Sequence, residues 1–161
     1  MSLPGPAGRT TSFHDNLVYA FHLRAPDPDN GDWASELMLD IDHIVEWVCG
    51  TDGRARFRVA PATLIFHDVT DLSIRVDYAR ADHAMALNEM SIATIERDPV
   101  AREGGAGKVP YWRWRIALNV PQGGEIAFGA SGSTLMQRAA PILCDDQRLP
   151  LKGRPHLLAV R

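Results

Sequence analysis

Apolar and polar side chains alternate with period two along most of this chain, the spacing of half-buried strands and not of helices. Leu17, Tyr19, Phe21 and Leu23 share one face of a strand, and Val18, Ala20, His22 and Arg24 share the other. The run ends in Pro26-Asp27-Pro28-Asp29-Asn30-Gly31-Asp32, whose prolines and glycine cannot continue a ladder. From Leu37 to Trp47 the alternation returns, with Leu37, Leu39, Ile41, His43, Val45 and Trp47 against Met38, Asp40, Asp42, Ile44 and Glu46. A short helix capped by Asp42 competes with this reading. The β-branched content favours a strand through at least Ile44. Thr51-Asp52-Gly53 then marks a turn.

The next apolar run, Phe57-Arg58-Val59, is short, and Pro61 places any pairing there at a strand start or an edge. Ala62, Leu64 and Phe66 alternate with Thr63, Ile65 and His67. The phase slips at Asp68-Val69-Thr70-Asp71 and resumes as Leu72, Ile74, Val76 and Tyr78. A bulge or tight turn between two strands accounts for such a slip. Residues 80–88 suit a loop with one helical turn, Ser91 to Glu96 is strand-prone, and Asp98 to Pro110 is a long connection rich in glycine and proline. Tyr111 to Val120 is the clearest strand, with Trp112, Trp114, Ile116, Leu118 and Val120 on one face. Pro121-Gln122-Gly123-Gly124 turns it back into Ile126, Phe128 and Ala130. Thr134 to Arg138 reads as a further strand, and the tail from Pro141 as mostly irregular. About eight short strands without βαβ spacing predict a mainly β fold, an antiparallel sandwich or open barrel with little helix.

Composition narrows the function classes. The chain has 161 residues, 45% hydrophobic and 23% charged, which suits one domain over residues 13–161 behind a flexible leader, residues 1–12. Met1–Leu3 is consistent with a cloning remnant. The formal net charge of −3 argues against a nucleic-acid partner. No run is long enough for a membrane helix, and the N-terminal stretch lacks the apolar region of a secretory signal. Cys49 and Cys144 read as free, small, buried thiols in a reducing cytoplasm, although one bridge between them stays open.

Three His/Asp neighbourhoods carry the candidate chemistry: His14-Asp15, Asp40-Ile41-Asp42-His43 and His67-Asp68. Imidazole and carboxylate suit zinc, iron or manganese. Asp40 and Asp42 share a strand face about 7 Å apart and could reach one cation. His43 points the other way, so a metal site would draw on His14, Asp40, Asp42 and His67. Turn-forming aspartates and a satisfied core histidine are the commoner meaning of these residues. No cofactor is therefore expected, and an enzyme is the second choice. Asp40, Asp42 and Glu46 form an acidic row that is either a solvated face or, with Asp68 and Asp71, a docking surface for a basic partner. Arg113 and Arg115 on the clearest strand suit pairing with that row across the sheet. Gly104-Gly105-Ala106-Gly107-Lys108 lacks the hydroxyl residue of a phosphate loop, and Gly129-Ala130-Ser131-Gly132-Ser133 lacks the last glycine of a nucleophile elbow.

The segments Phe13-His14-Asp15-Asn16, Leu39 to Trp47 (LDIDHIVEW) and Ala60 to Leu72 (APATLIFHDVTDL) resemble a family of small uncharacterised bacterial proteins. The early His-Asp and a later Leu-x-Phe-x-x-Val-x-x-Leu are loosely similar to β proteins among toxin-immunity families. The resemblance implies an antiparallel β fold, a bacterial origin and no catalytic residues. The expectation is thus a non-enzymatic protein-binding domain, possible as a homodimer. A metal-dependent or small-ligand enzyme is the alternative.

Overall fold

The computed structural model describes residues 13–79, 87–101 and 110–155. The leader, most of the 80–88 segment and the glycine-rich 104–108 stretch lie outside them. Among the described residues nine strands follow in chain order: β1 (Leu17–Arg24), β2 (Glu36–Cys49), β3 (Ala55–His67), β4 (Thr70–Arg75), β5 (Met90–Pro99), β6 (Trp112–Val120), β7 (Glu125–Ala130), β8 (Gly132–Gln137) and β9 (Ile142–Cys144). All pairings are antiparallel, in the order β4-β7-β6-β5-β1-β2-β3-β8, with β9 beside β3. The sheet is not closed into a barrel. The mainly β, antiparallel, open architecture expected from the alternation is the one observed.

Two bent ribbons fold this sheet over. β3 runs into β4 through Asp68 and Val69, and β7 runs into β8 through Ser131, while β3 pairs with β8 and β4 with β7. Each continuous stretch therefore leaves one half of the sheet and enters the other. Asp68 and Asp71 supply the bend, with left-handed φ of 55° and 52° that aspartate tolerates better than most residues. The Ser131 N–H goes to the His67 carbonyl, and the Tyr111 hydroxyl donates to the Asp68 carbonyl at 3.0 Å. The phase slip legible in the sequence is this corner, the usual device by which strands change sheets. On the far side, Leu17 and Val18 of β1 pair with Ser91 and Met90 of β5, and Asp15 and Asn16 extend the contact through backbone hydrogen bonds to Ile92.

The main core lies between the halves. Leu37, Leu39 and Ile41 of β2 and Leu64 and Phe66 of β3 meet Ile95, Trp114, Ile116, Ile126 and Phe128. Phe66 is packed edge-on against both Trp114 (5.1 Å between centroids) and Phe128 (4.6 Å). Trp114, Ile116 and Leu118 are buried on the face expected for β6. Arg115 of that strand pairs with Glu96 and Glu125 on the adjacent strands, not with the acidic row, because β5 and β1 stand between β6 and β2. Pro61 lies inside β3 and not at its start. It sits where the outer neighbour of β3 changes from β8 (opposite 62–67) to β9 (opposite 57–59), so its missing N–H interrupts neither ladder.

Candidate functional site

A second, smaller core covers the other face of β2 and β3. It is made of Ile44, Phe57, Val59 and Leu149, with Cys144 against it. Leu149 comes from the proline-rich C-terminal segment, which is irregular as expected apart from β9 and one 3-10 turn (Leu151–Gly153). This segment overturns the idea of a solvated acidic row. Asp40 and Asp42 are 2% and 0% exposed, and only Glu46 reaches solvent, paired with Arg58 at 3.0 Å. The alternation identified the correct face but carries no information on what packs over it.

The two buried carboxylates are satisfied separately. Thr63, opposite Asp40 in the β2–β3 register, donates its hydroxyl to Asp40 Oδ1 at 2.6 Å. Asp42 accepts the Leu149 N–H at 3.1 Å, and the Arg154 guanidinium lies against both of its oxygens. Arg154 also bonds Glu89, which in turn binds Arg148, and stacks 4.9 Å over the Tyr19 ring. Burial raises the Asp42 carboxyl above the usual carboxylate range, a shift that Arg154 and the Leu149 amide reduce without cancelling. Burial opposes the charge on Arg154, but its bonds to Asp42 and Glu89 outweigh that and hold it protonated. Glu89 is held below its ordinary value because Arg154 and Arg148 outweigh its own partial burial. Burial, with Asp40 and Asp42 nearby, pushes the Tyr19 phenol up to about 12. Tyr19, Glu89, Arg148, Leu149 and Arg154 escaped the sequence reading. Arg154 is 112 positions from Asp42, and no local pattern marks such a partnership.

The remaining candidates are dispersed. His14 donates through Nδ1 to the Ala93 carbonyl at 2.8 Å. His67 bridges β2 and β8, with Nδ1 at 3.1 Å from Glu36 and Nε2 at 2.9 Å from the Thr134 hydroxyl. In the register His67 stands opposite Glu36, six residues along β2 from Asp42, roughly 20 Å away. His14, Asp40, Asp42 and His67 are thus not one site. Among the described residues no group of three or more His, Cys, Asp or Glu could hold a metal ion. Asp68 accepts the Ser131 hydroxyl and Asp71 that of Thr70, so both serve the corner and lie apart from the β2 carboxylates. Ser131 is therefore bonded to a carboxylate and not to an imidazole. Cys49 is exposed instead of buried, being at the end of the β2–β3 hairpin, and both thiols are free.

His43 is a structural residue held by Asn16. Asn16 Nδ2 donates to His43 Nδ1 at 2.9 Å, while its Oδ1 accepts the Ile44 N–H at 3.2 Å. Burial lowers the pKa of His43 below the ordinary 6.5. The unfolded chain therefore binds this proton more readily than the folded one. The associated stability is complete above pH 6.5 and is lost as the pH falls through 6.5 toward the folded value. Thermal scans from pH 7.5 to 5.5 are expected to show a loss of up to about 1 kcal/mol, or about 2–4 °C in Tm. His43→Phe should flatten that slope; an unchanged slope would assign it to other groups.

One region exposes large apolar side chains on neighbouring strands. β1 pairs with β2 only as far as Asp42, and beyond it β2 and β3 continue as a hairpin flanked by β9. Trp47 (56% exposed), Val45 (47%), Ile142 (46%) and Leu143 (50%) lie there. Trp47 stands opposite Phe57, at 4.8 Å in an edge-on contact, and Ile142 opposite Val59, so both flank the second core on one face. Among the described residues, no helix is long and apolar enough to cross a membrane. No protein-family model matches the chain, and no significant match emerges among curated proteins or among solved structures.

Proposed function

We propose that this chain is a non-enzymatic protein-binding domain, with an immunity-type inhibitor as the specific form suggested by the sequence resemblance. Its setting is a bacterial cytoplasm, where Cys49 and Cys144 stay reduced. The carrying observation is the hairpin of β2 and β3, which runs past the end of β1 with Trp47 more than half exposed on the same face as Ile142. Clustered exposed apolar side chains mark contact surfaces, and tryptophan is among the residues enriched at their centres. The ion pairs Glu46–Arg58 and Arg56–Asp52 lie on the same hairpin, with Arg56 and Arg58 alternating with Phe57 along β3. The contact surface is accordingly placed on the hairpin and not on Asp40 and Asp42, whose reversal to lysine would report on folding.

A photo-crosslinking residue at position 47, compared with one at Arg24, tests this in lysate of the native host. One protein captured at 47 and not at 24 is the expected result. Its affinity for the Trp47→Glu variant should be about 30-fold weaker, with an unchanged melting temperature. Equal capture at both positions, or none at 47, would overturn the assignment.

A further inference from the structure

The two edges of the folded sheet are built differently. β4, at one edge, carries a register shift between Thr70 and Ser73, the left-handed Asp71, and Arg75 paired with Glu125. Bulges and charges of this kind prevent a further strand from adding. β8, at the other edge, is Gly-Ser-Thr-Leu-Met-Gln, without a charge or a proline. Its ladder with β3 is unbroken from Ala62–Gln137 to His67–Gly132.

The hydrogen-bond parity of β8 is also fixed. Gln137 is opposite Ala62, and the Arg138 N–H donates to the Pro61 carbonyl at 2.8 Å. Hydrogen-bonded positions alternate in an antiparallel ladder. Met136, Thr134 and Gly132 therefore turn their backbone groups toward β3. Ser133, Leu135 and Gln137 turn theirs outward, where no strand lies among the described residues.

We propose that β8 is a self-association edge, on which a second copy of this chain pairs antiparallel about a two-fold axis at Leu135. Parity selects this register, because Leu135 then exchanges backbone hydrogen bonds with its own equivalent and Ser133 with Gln137 of the second copy. Thr134 falls opposite Met136, which is 45% exposed. The neutral strand meets itself without like charges, which would be destabilising directly across a ladder. Charge complementarity supports a second copy over an unrelated strand. In this register Arg138 falls opposite Gly132, where a side chain would meet nothing within 4 Å. That position adjoins Ser131 and the Asp68 carboxylate it bonds. The two-fold axis makes this Arg-to-Asp approach twice. The inference stands independently of the hairpin assignment, which concerns a different end of the sheet.

Light scattering on the full chain is expected to give twice 17.8 kDa at micromolar concentrations. Gln137→Pro removes only an outward N–H and should give a monomer with an unchanged circular dichroism spectrum. Arg138→Glu keeps every backbone donor and should weaken association about tenfold or more. The register has its own readout. Thr134→Cys with Met136→Cys, in a Cys49→Ser, Cys144→Ser background, should form a covalent dimer on mild oxidation. A wild-type monomer across the concentration range, or a dimer unaffected by Gln137→Pro and Arg138→Glu, would overturn the proposal. So would a Thr134/Met136 cysteine variant that stays monomeric on oxidation.

Discussion

Arg154→Leu is expected to lower the unfolding free energy by about 3–5 kcal/mol, the usual cost of leaving one partner of a buried ion pair alone. Asp42 has no exposed surface, and its other partner in the Leu149–Arg154 segment is a single backbone N–H. Without the guanidinium the carboxylate must either take up a proton or draw the segment away from β2. Glu89 loses a partner in the same step but keeps Arg148. The charge, and not the packing, is the cause, so the double variant Asp42→Leu/Arg154→Leu should recover at least half of the loss. Urea unfolding of the wild type and both variants checks this through the midpoints at constant m. A double variant no better than Arg154→Leu alone would show that shape or the Glu89 contact dominates.

Phe66→Ala should be of similar size, about 3–5 kcal/mol, because it removes a fully buried ring and leaves a cavity between the halves of the sheet. Phe66 is the side chain of β3 that touches both Trp114 of β6 and Phe128 of β7. The effect should couple to its neighbours: Phe66→Ala with Trp114→Ala is expected to cost less than the two single losses combined, since they open one shared cavity. Strict additivity, measured by the same urea titrations, would mean that the halves are held mainly by the β3–β4 and β7–β8 ribbons.

The local part of this architecture was legible because side-chain alternation is a property of neighbours in sequence. Trp112 to Val120 and Leu17 to Leu23 could be read as strands from their own residues, and the slip at Asp68–Asp71 as a break in phase. What covers a face is not local. Asp40 and Asp42 alternate with Leu39 and Ile41 as solvent-facing residues would, and the segment that closes over Asp42 begins about a hundred positions later. Pro61 misled for a related reason: the rule against proline in a central strand concerns a donor, and β3 places that donor at a gap between two partners. Cys49 was expected inside on residue type, yet its position at a hairpin end decides its exposure.

The pairing of Asp42 with Arg154 also orders events during synthesis. A ribosome delivers β1 to β3 well before residues 149–154, so the carboxylate of Asp42 must stay hydrated while the strands around it emerge. The outer face of β2 can dry only when the Leu149–Arg154 stretch has cleared the exit tunnel. A nascent chain stalled before that point carries an apolar inner face ready to pack and an outer face that cannot yet do so. Completion of the fold is thereby tied to a segment made more than a hundred residues after β2 begins, which delays commitment of the early strands until their charge partner exists.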